Sequence, residues 1–190
     1  MKIKVYIGVI GSGKDYQAKR DCDVTMAFAD QLREDVWTMI GWGPKTEAEY
    51  EAFKKAEFVP TTFLDNNYKS GVFTGRDLLQ RYGTEVRRKE KSSHWVDILI
   101  KKLWMDVPTA STVGITDCRF PNEVKGLIEG VKKLNWGSST LPVFELEFIH
   151  TNYKSDRYDT TSTHESERLA QHCLQFCGDN KAFQNYLKSL

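Results

Sequence analysis

The sequence lacks any long hydrophobic run. No segment approaches the roughly 20 consecutive apolar residues that a membrane-spanning helix requires. The first residues, MKIKVYIGV, alternate lysine with apolar residues, and they lack the apolar core and the small-residue cleavage site of a signal peptide. These absences predict a soluble cytoplasmic protein without a membrane partner.

An excess of charge of one sign is also lacking. The chain has 27 Lys and Arg residues against 26 Asp and Glu residues, so its formal net charge is +1. Proteins that coat polyanions usually show a clear basic excess. The balance therefore disfavours nucleic-acid binding as the main task, although local basic clusters remain compatible with a small phosphorylated ligand.

A zinc-binding pattern is absent from the four cysteines. Cys173 and Cys177 are four residues apart, so they share one face of a helix, but no second Cys pair or nearby His pair completes a metal site. We therefore expect reduced, packed thiols. Repeats and low-complexity tracts are missing too, and 40% hydrophobic residues are enough for the core of one domain over residues 1–190.

Predicted strands alternate with predicted helices along the chain. Strand patterns occur at residues 2–8, 111–117 and 142–150, and helical spacing occurs at 23–33, 46–57, 74–88, 94–105, 122–134, 163–177 and 180–190. This alternation predicts an α/β fold with a central parallel sheet. Residues 35–73 are interpreted as an inserted flap, and the polar residues 151–163 as a mobile loop.

The stretch GVIGSGKD, residues 8–15, joins the first strand to a helix that is predicted to open at Gly13. A strand, then G-x-x-x-x-G-K, then a helix is the context in which this motif binds phosphate. The backbone N–H groups of Gly11, Ser12 and Gly13 would meet phosphate oxygens, and the helix N-terminus adds about half a positive charge. Lys14 would reach the β- and γ-phosphates. The alternative is a glycine-rich turn without a ligand.

Asp15 departs from the usual loop, in which Ser or Thr follows the lysine and helps to hold Mg²⁺. A carboxylate is a hard oxygen ligand and could hold Mg²⁺ directly or through water. An aspartate in the first turn also stabilises a helix N-terminus. Spacing alone leaves both roles open.

Three further segments follow the loop in order: GRDLLQRYGTEVRRKEKSSHW at 75–95, ITDCRFPNEV at 115–124 and THESE at 163–167. Together with GSGKD they resemble the bacteriophage deoxynucleoside monophosphate kinases, a branch of the P-loop nucleoside monophosphate kinases. The family pattern also has aspartate after the loop lysine. A threonine that often follows it is Tyr16 here, and residues 35–73 have no clear match.

The resemblance implies a P-loop NTPase-like, three-layer fold with a central parallel sheet and inserted substrate-binding and lid segments. It implies one kinase domain that transfers a phosphoryl group from ATP, with Mg²⁺, to a deoxynucleoside monophosphate. Residues 35–73 would form the flap and residues 151–168 the lid. If a phage encodes the chain, the protein is expected in the host cytoplasm.

Matched to the family, Gly13, Lys14 and Asp15 fall on the ATP-binding loop, to which the backbone argument adds Gly11 and Ser12. The positions that match the substrate site are Leu32, Arg33, Arg76, Gly83, Thr84, Trp95, Asp117, Arg119 and Glu123. We expect catalytic roles for Lys14, Asp15, Arg76 and Arg119. Asp15 and Asp117 are the candidate ligands of Mg²⁺.

The chemistry of these side chains agrees with such roles. Arg33 and Arg76 carry planar donor forks that suit an acceptor phosphate. Gln80 and Thr84 could read base edges, and Trp95 could either stack on a base or belong to the core. Asp117 follows a predicted strand, where open α/β sheets bind ligands, and could accept a magnesium-bound water, orient Arg119 or hold the sugar. Glu123 could contact a base or a guanidinium.

Several residues are candidates for the arginine that is expected to cover the transferring phosphoryl group. The basic run Arg87, Arg88, Lys89 and Lys91 is either a solvated helix end or the source of this arginine, with Arg88 placed in the substrate site. Arg157 and Arg168 are rivals. His164 is left out of the catalytic set, because a helix cap at Thr163 explains the THESE segment as well.

Two alternative functions stay open. The chain could phosphorylate hydroxymethylated bases within DNA, and Trp37, Trp42, Lys45, Lys54 and Lys55 leave room for a strand groove, although four glutamates interrupt them. It could also be a nucleotide-dependent switch or an inactive P-loop protein. The retention of Lys14, Asp117 and Arg119 argues against an inactive protein, and a switch would need partner-facing residues for which the sequence provides no evidence. The sequence leaves open the accepted base and the formation of a homodimer.

Overall fold

The computed structural model describes residues 1–59, 72–106, 111–136, 143–152, 160–161, 165–176 and 178–190. The chain forms two compact units. Unit 1 comprises Met1–Phe28 and Val96–Leu190, and unit 2 comprises Ala29–Trp95. The predicted flap lies in unit 2, and its residues 60–71 lie outside the described residues. The expectation of one domain over the whole chain stays a prediction.

A parallel four-stranded sheet forms the centre of unit 1. Its strands are β1 (Lys2–Ile7), β2 (Val24–Met26), β5 (Thr112–Ile115) and β6 (Glu145–His150), in the order β2-β5-β1-β6. In β1 the side chains of Ile3, Val5, Tyr6 and Ile7 are fully buried. Parallel sheets are covered on both faces, which explains this nearly continuous burial. The predicted α/β architecture with a central parallel sheet is confirmed.

Helices flank the sheet. The helices of unit 1 are α1 (Lys14–Asp21), α5 (His94–Asp106), α6 (Pro121–Trp136), α7 (Glu165–Cys173) and α8 (Asn180–Ser189), with a 3₁₀ turn at Leu174–Phe176. The first two residues of α5 belong to unit 2. Each of these helices corresponds to a predicted helix. The α5 and α6 helices approach closely, because α6 presents Gly126 to Val96 and Gly130 to Ile100. No described helix is both long and apolar enough to cross a membrane.

The prediction of one helix over residues 23–33 is wrong in its first part. Val24–Met26 forms the edge strand β2, which pairs with β5, and the helix α2 runs from Phe28 to Ile40. The Asp23 carboxylate anchors this strand by accepting hydrogen bonds from the backbone N–H groups of Ser111 and Thr112. Pairing with a distant strand therefore overrides the local helical spacing.

Unit 2 is built from short elements. They are the rest of α2, α3 (Glu47–Lys55), β3 (Glu57–Phe58), β4 (Phe73–Thr74), α4 (Gly75–Gln80) and a π-helix at Arg81–Arg88. A capping box between Thr74 and Asp77 starts α4. The predicted helix over 74–88 is thus confirmed in position, but its second half has the wider π-helical winding. Such winding often occurs at functional positions.

The cysteines that the structure describes are Cys22, Cys118 and Cys173, and none of these three is joined in a disulfide. Burial raises the pKa of the Cys173 thiol to about 12, so this side chain stays protonated and unreactive at neutral pH. The expectation of packed, reduced thiols is confirmed for the buried Cys118 and Cys173, whereas Cys22 is only half-buried. Cys177 lies outside the described residues, as do residues 153–159 and 162–164 of the predicted lid.

Candidate functional site

The glycine-rich loop leaves the carboxyl end of β1 and enters α1. Gly11 and Gly13 have φ values of 75° and 76°, which lie in the left-handed region that favours glycine. The N–H group of Ser12 donates to the carbonyl of Val9 across 3.1 Å. This amide closes the loop on itself, so the predicted phosphate contact by the Ser12 N–H is not available in this conformation.

Thr151, the residue that directly follows β6, contacts the loop. The hydroxyl oxygens of Ser12 and Thr151 are 2.9 Å apart, and both residues are buried. A Cβ atom at Gly8 would lie 2.3 Å from Thr151 Oγ1, so only glycine fits there. The prediction that Thr151 begins a mobile loop is wrong for this residue, because it is buried and bonded to the strand and loop beside it. Its position directly after an alternating strand was an available signal.

Lys14 is the first residue of α1, and its ammonium group folds back over the loop. Its Nζ donates to the carbonyl of Gly8 at 2.7 Å and to that of Val9 at 2.9 Å. The pKa of Lys14 is lowered to about 8, mainly by burial and also by the charge of Arg119, and the nearby carboxylates of Glu167, Asp15 and Asp117 oppose this shift. The lysine thus shares its electrostatic environment with the residues that follow β5.

Asp117 follows β5, and its carboxylate starts the helix α2. Asp117 Oδ1 accepts a hydrogen bond of 2.7 Å from the backbone N–H of Phe28, the first residue of that helix. A carboxylate at a helix N-terminus is stabilised by the unpaired N–H groups and the helix dipole. Asp117 therefore combines proximity to Lys14 with a structural contact that the sequence did not predict.

Arg119 pairs with a buried glutamate from α7. Its Nη1 lies 2.6 Å from Glu167 Oε1, and 4% of Glu167 is exposed, whereas 43% of the Arg119 side chain is exposed. The sequence analysis noted Glu167 only within the THESE segment and gave it no role. The Arg119 guanidinium is thus anchored at one end and open to solvent elsewhere.

Glu123 has a structural role in place of the predicted substrate contact. Only 1% of this residue is exposed, and its Oε2 accepts hydrogen bonds from the N–H groups of Arg119 and Phe120 at 2.7 and 3.0 Å. The carboxylate therefore starts α6 and fixes the backbone at Arg119. The expected contact of Glu123 with a base does not fit this burial, and its contact with a guanidinium stays a prediction.

Asp15 and Asp117 are the two carboxylates that were predicted to hold a magnesium ion. Asp15 is exposed in the first turn of α1, and Asp117 lies at the end of β5. No group of three or more His, Cys, Asp or Glu side chains that could hold a metal occurs among the described residues. Mg²⁺ commonly binds through one or two carboxylates together with substrate phosphates, so this pair fits a nucleotide-bound ion better than a resident one.

In unit 2 the two candidate acceptor arginines differ. Arg76 is exposed at the start of α4, and no side chain within the described ranges forms an ion pair or hydrogen bond with it. Arg33 is engaged: its Nη1 lies 3.0 Å from Asp30 Oδ1, its Nε donates to the Tyr50 hydroxyl, and its guanidinium lies over the Tyr50 ring. Arg76 is therefore the better placed of the two for an incoming anion.

Trp95 belongs to the core of unit 2, which was one of the two roles predicted for it. The residue is 3% exposed, its Nε1 donates to the carbonyl of Gly83 at 3.1 Å, and the His94 ring meets it edge-on. The predicted stacking on a base does not fit this burial. A Cβ atom at Gly83 would lie 3.0 Å from Leu32, so these two residues also pack together.

The remaining candidates lie on or near the π-helix. Gln80 and Thr84 are exposed, and Arg88 is half-buried. Arg87 donates from Nε to the Tyr82 hydroxyl at 2.8 Å and also pairs with Glu90. Arg168 is exposed on α7, and Arg157 and His164 lie outside the described residues.

Two sets of predicted residues are thus assembled, one in each unit. Unit 1 brings Lys14, Asp15, Asp117 and Arg119 into one electrostatic environment. Unit 2 brings Leu32, Gly83 and Trp95 together. No known family model matches this chain, and no relative is found among curated proteins.

Proposed function

We propose that the protein is an ATP-dependent kinase of deoxynucleoside monophosphates, with a P-loop kinase fold. One observation carries this proposal. A loop with two left-handed glycines leads from a buried parallel strand to a helix that begins with Lys14, and Arg119 from the end of the neighbouring strand shares the environment of this lysine. Open α/β sheets bind ligands at this carboxyl edge.

ATP binds at the loop of unit 1. The Lys14 ammonium exchanges its two carbonyl partners for oxygens of the β- and γ-phosphates, and the N-terminus of α1 adds favourable dipoles. Arg119 contributes a planar donor fork, which suits phosphate better than a point charge does. Asp15 and Asp117 would hold Mg²⁺, which would supply positive charge against the charge of the transferring group.

The acceptor phosphate binds in unit 2, where Arg76 is exposed at the N-terminal turn of α4. An oxygen of the monophosphate forms a bond to the γ-phosphorus, the bond from that phosphorus to the β–γ bridging oxygen breaks, and ADP leaves. A phosphate oxygen is already an anion at neutral pH, so the step needs no general base. Positioning and charge neutralisation supply most of the rate.

The test is ADP release in the presence of ATP, Mg²⁺ and a panel of acceptors. The panel contains the four common deoxynucleoside monophosphates, 5-hydroxymethyl-dUMP and DNA with hydroxymethyluracil. A Lys14→Met protein, purified in the same way, controls for contaminating activity and should be slower by about three orders of magnitude or more.

Turnover with free monophosphates would support the proposal and identify the preferred base. Turnover with DNA alone would replace it with a kinase that acts on a strand. ATP binding without turnover on any acceptor would favour a nucleotide-dependent switch.

A further inference from the structure

Arg119 is held at two points by two buried carboxylates. Glu123 accepts hydrogen bonds from the backbone N–H groups at and after Arg119, and Glu167 receives the Nη1 end of its guanidinium at 2.6 Å. The two glutamates come from different helices, α6 and α7. The backbone and the tip of Arg119 are therefore both fixed, which is unusual for a long side chain that is 43% exposed.

The Arg119 side chain uses only part of its donor fork on Glu167. Within the described parts of the chain, no hydrogen-bond partner is found for Nε or Nη2 of Arg119. A guanidinium can form hydrogen bonds at two edges, so one edge can rest on a carboxylate while the other meets a phosphate.

Burial of the Glu167 carboxylate carries a desolvation cost that a salt bridge alone seldom exceeds. A buried ion pair is therefore weak evidence of a role in stability. Glu167 and Arg119 both lie within electrostatic range of Lys14. The buried Arg119–Glu167 pair near Lys14 is explained by function if Glu167 keeps the Arg119 guanidinium directed at the phosphates of ATP.

We propose that Glu167 is a positioning residue for ATP binding, which holds the guanidinium of Arg119 beside Lys14 so that its second edge contacts the triphosphate. This inference rests on the proposed function. It concerns a residue on α7 that lies 48 positions from Arg119 along the chain and does not itself contact the nucleotide.

The direction in which Glu167→Gln changes ATP affinity shows whether Glu167 positions Arg119 or acts only as a nearby negative charge. If Glu167 acts only as a nearby negative charge, the substitution Glu167→Gln removes repulsion and strengthens ATP binding. If Glu167 positions Arg119, the same substitution releases the guanidinium and weakens ATP binding by about tenfold, the usual size for one charge-assisted hydrogen bond. Glu129→Gln on the exposed face of α6 is the matched control and should leave the affinity unchanged.

The experiment titrates ATP and Mg²⁺ into the full chain and its variants by calorimetry at neutral pH. In a background that carries Arg119→Gln, the Glu167→Gln substitution should cause no further loss, because its effect passes through the arginine. Arg119→Lys keeps the charge but loses the second edge, so it should weaken binding as Glu167→Gln does. This second variant also tests the inference if Glu167→Gln does not fold.

Equal or tighter ATP binding by Glu167→Gln would overturn the inference, and so would a loss that persists in the Arg119→Gln background. In either case, normal ATP turnover by the wild-type protein would leave the proposed function standing. Absence of ATP binding by the wild-type protein would overturn the proposed function and the inference with it.

Discussion

The hydroxyl oxygens of Ser12 and Thr151 lie 2.9 Å apart in the buried space beneath the glycine-rich loop. The backbone N–H of Thr151 also donates to the carbonyl of Ile7, the last residue of β1. The loop is thereby attached to β6 as well as to its own strand. Under the proposed function, this contact would help to hold the loop in place before a phosphate ligand arrives.

Thr151→Val should destabilise the protein by about 1–3 kcal/mol, because it leaves the buried Ser12 hydroxyl without this partner. ATP affinity should fall with it, since the loop loses an anchor. Urea unfolding and ATP titration measure the two effects. Thr151→Ser is the control, because it keeps the hydroxyl and loses only a methyl group; equal stability of the two variants would contradict the role of the hydrogen bond.

The Lys14 ammonium predicts a pH-dependent difference between the wild-type protein and Lys14→Met. The unfolded lysine keeps its proton up to about pH 10.5, whereas in the folded protein its pKa is lowered to about 8, mainly by burial. Between these values the unfolded state binds more protons, so this group makes the folded state more stable as pH rises.

The free energy of unfolding of the wild-type protein, minus that of Lys14→Met, should therefore be constant below about pH 8 and increase from about 8 to about 10.5. Urea unfolding of both proteins across this range measures the difference. A flat difference would mean that Lys14 is not desolvated in the folded protein.

The close approach of α5 and α6 predicts the sign of another substitution. Alanine normally stabilises a helix interior relative to glycine by about 1 kcal/mol. A Cβ atom at Gly126 would lie 2.6 Å from Val96 Cγ1, and the β-branched valine has little freedom to move away. We expect Gly126→Ala to destabilise the protein by about 1–3 kcal/mol instead.

Urea unfolding decides between these signs. Glu129→Ala on the exposed face of the same helix should change the free energy of unfolding by less than about 0.5 kcal/mol. The double variant Gly126→Ala with Val96→Ala should be more stable than the sum of the two single effects predicts, because the clash is gone. Additive changes in the free energy of unfolding for Gly126→Ala and Val96→Ala would show that α5 and α6 accommodate the added methyl group without a clash against Val96.

The parts of the site that lie close together in sequence could be predicted. The β1 strand, the loop and the start of α1 are contiguous, and their pattern of alternation, glycines and lysine carries the local conformation. Asp117 and Arg119 were assigned through their match to the resembled family, and Asp117 also because it follows a short β-branched strand.

The parts that depend on distant contacts could not be predicted. Thr151 is 139 positions from Ser12, and spacing carries no information about which residue meets the loop. The β2 strand is only three residues long and exists because it pairs with β5. Trp95 fitted both a base platform and a core residue, and only its burial distinguishes the two. The Thr151–Ser12 contact, the β2 strand and the burial of Trp95 all depend on tertiary packing, which local sequence patterns do not contain.

The exposed Arg76 predicts a selective effect on the acceptor. Its side chain has no ion-pair or hydrogen-bond partner in the described part of the chain, so Arg76→Ala should leave the fold and the ATP affinity nearly unchanged. If it grips the acceptor phosphate, the KM for the monophosphate should rise about tenfold to a hundredfold, the cost of lost charge-assisted hydrogen bonds.

Steady-state kinetics with each substrate varied in turn separates the two parameters. Lys55→Ala is the matched control, since it removes one exposed positive charge from the same unit and should change neither KM. Parallel losses for ATP and acceptor would assign Arg76 to the stability of α4. An unchanged KM for both substrates would show that another cation binds the acceptor phosphate. The remaining candidates in unit 2 are Arg88, which is half-buried, and Arg33, which is already paired with Asp30.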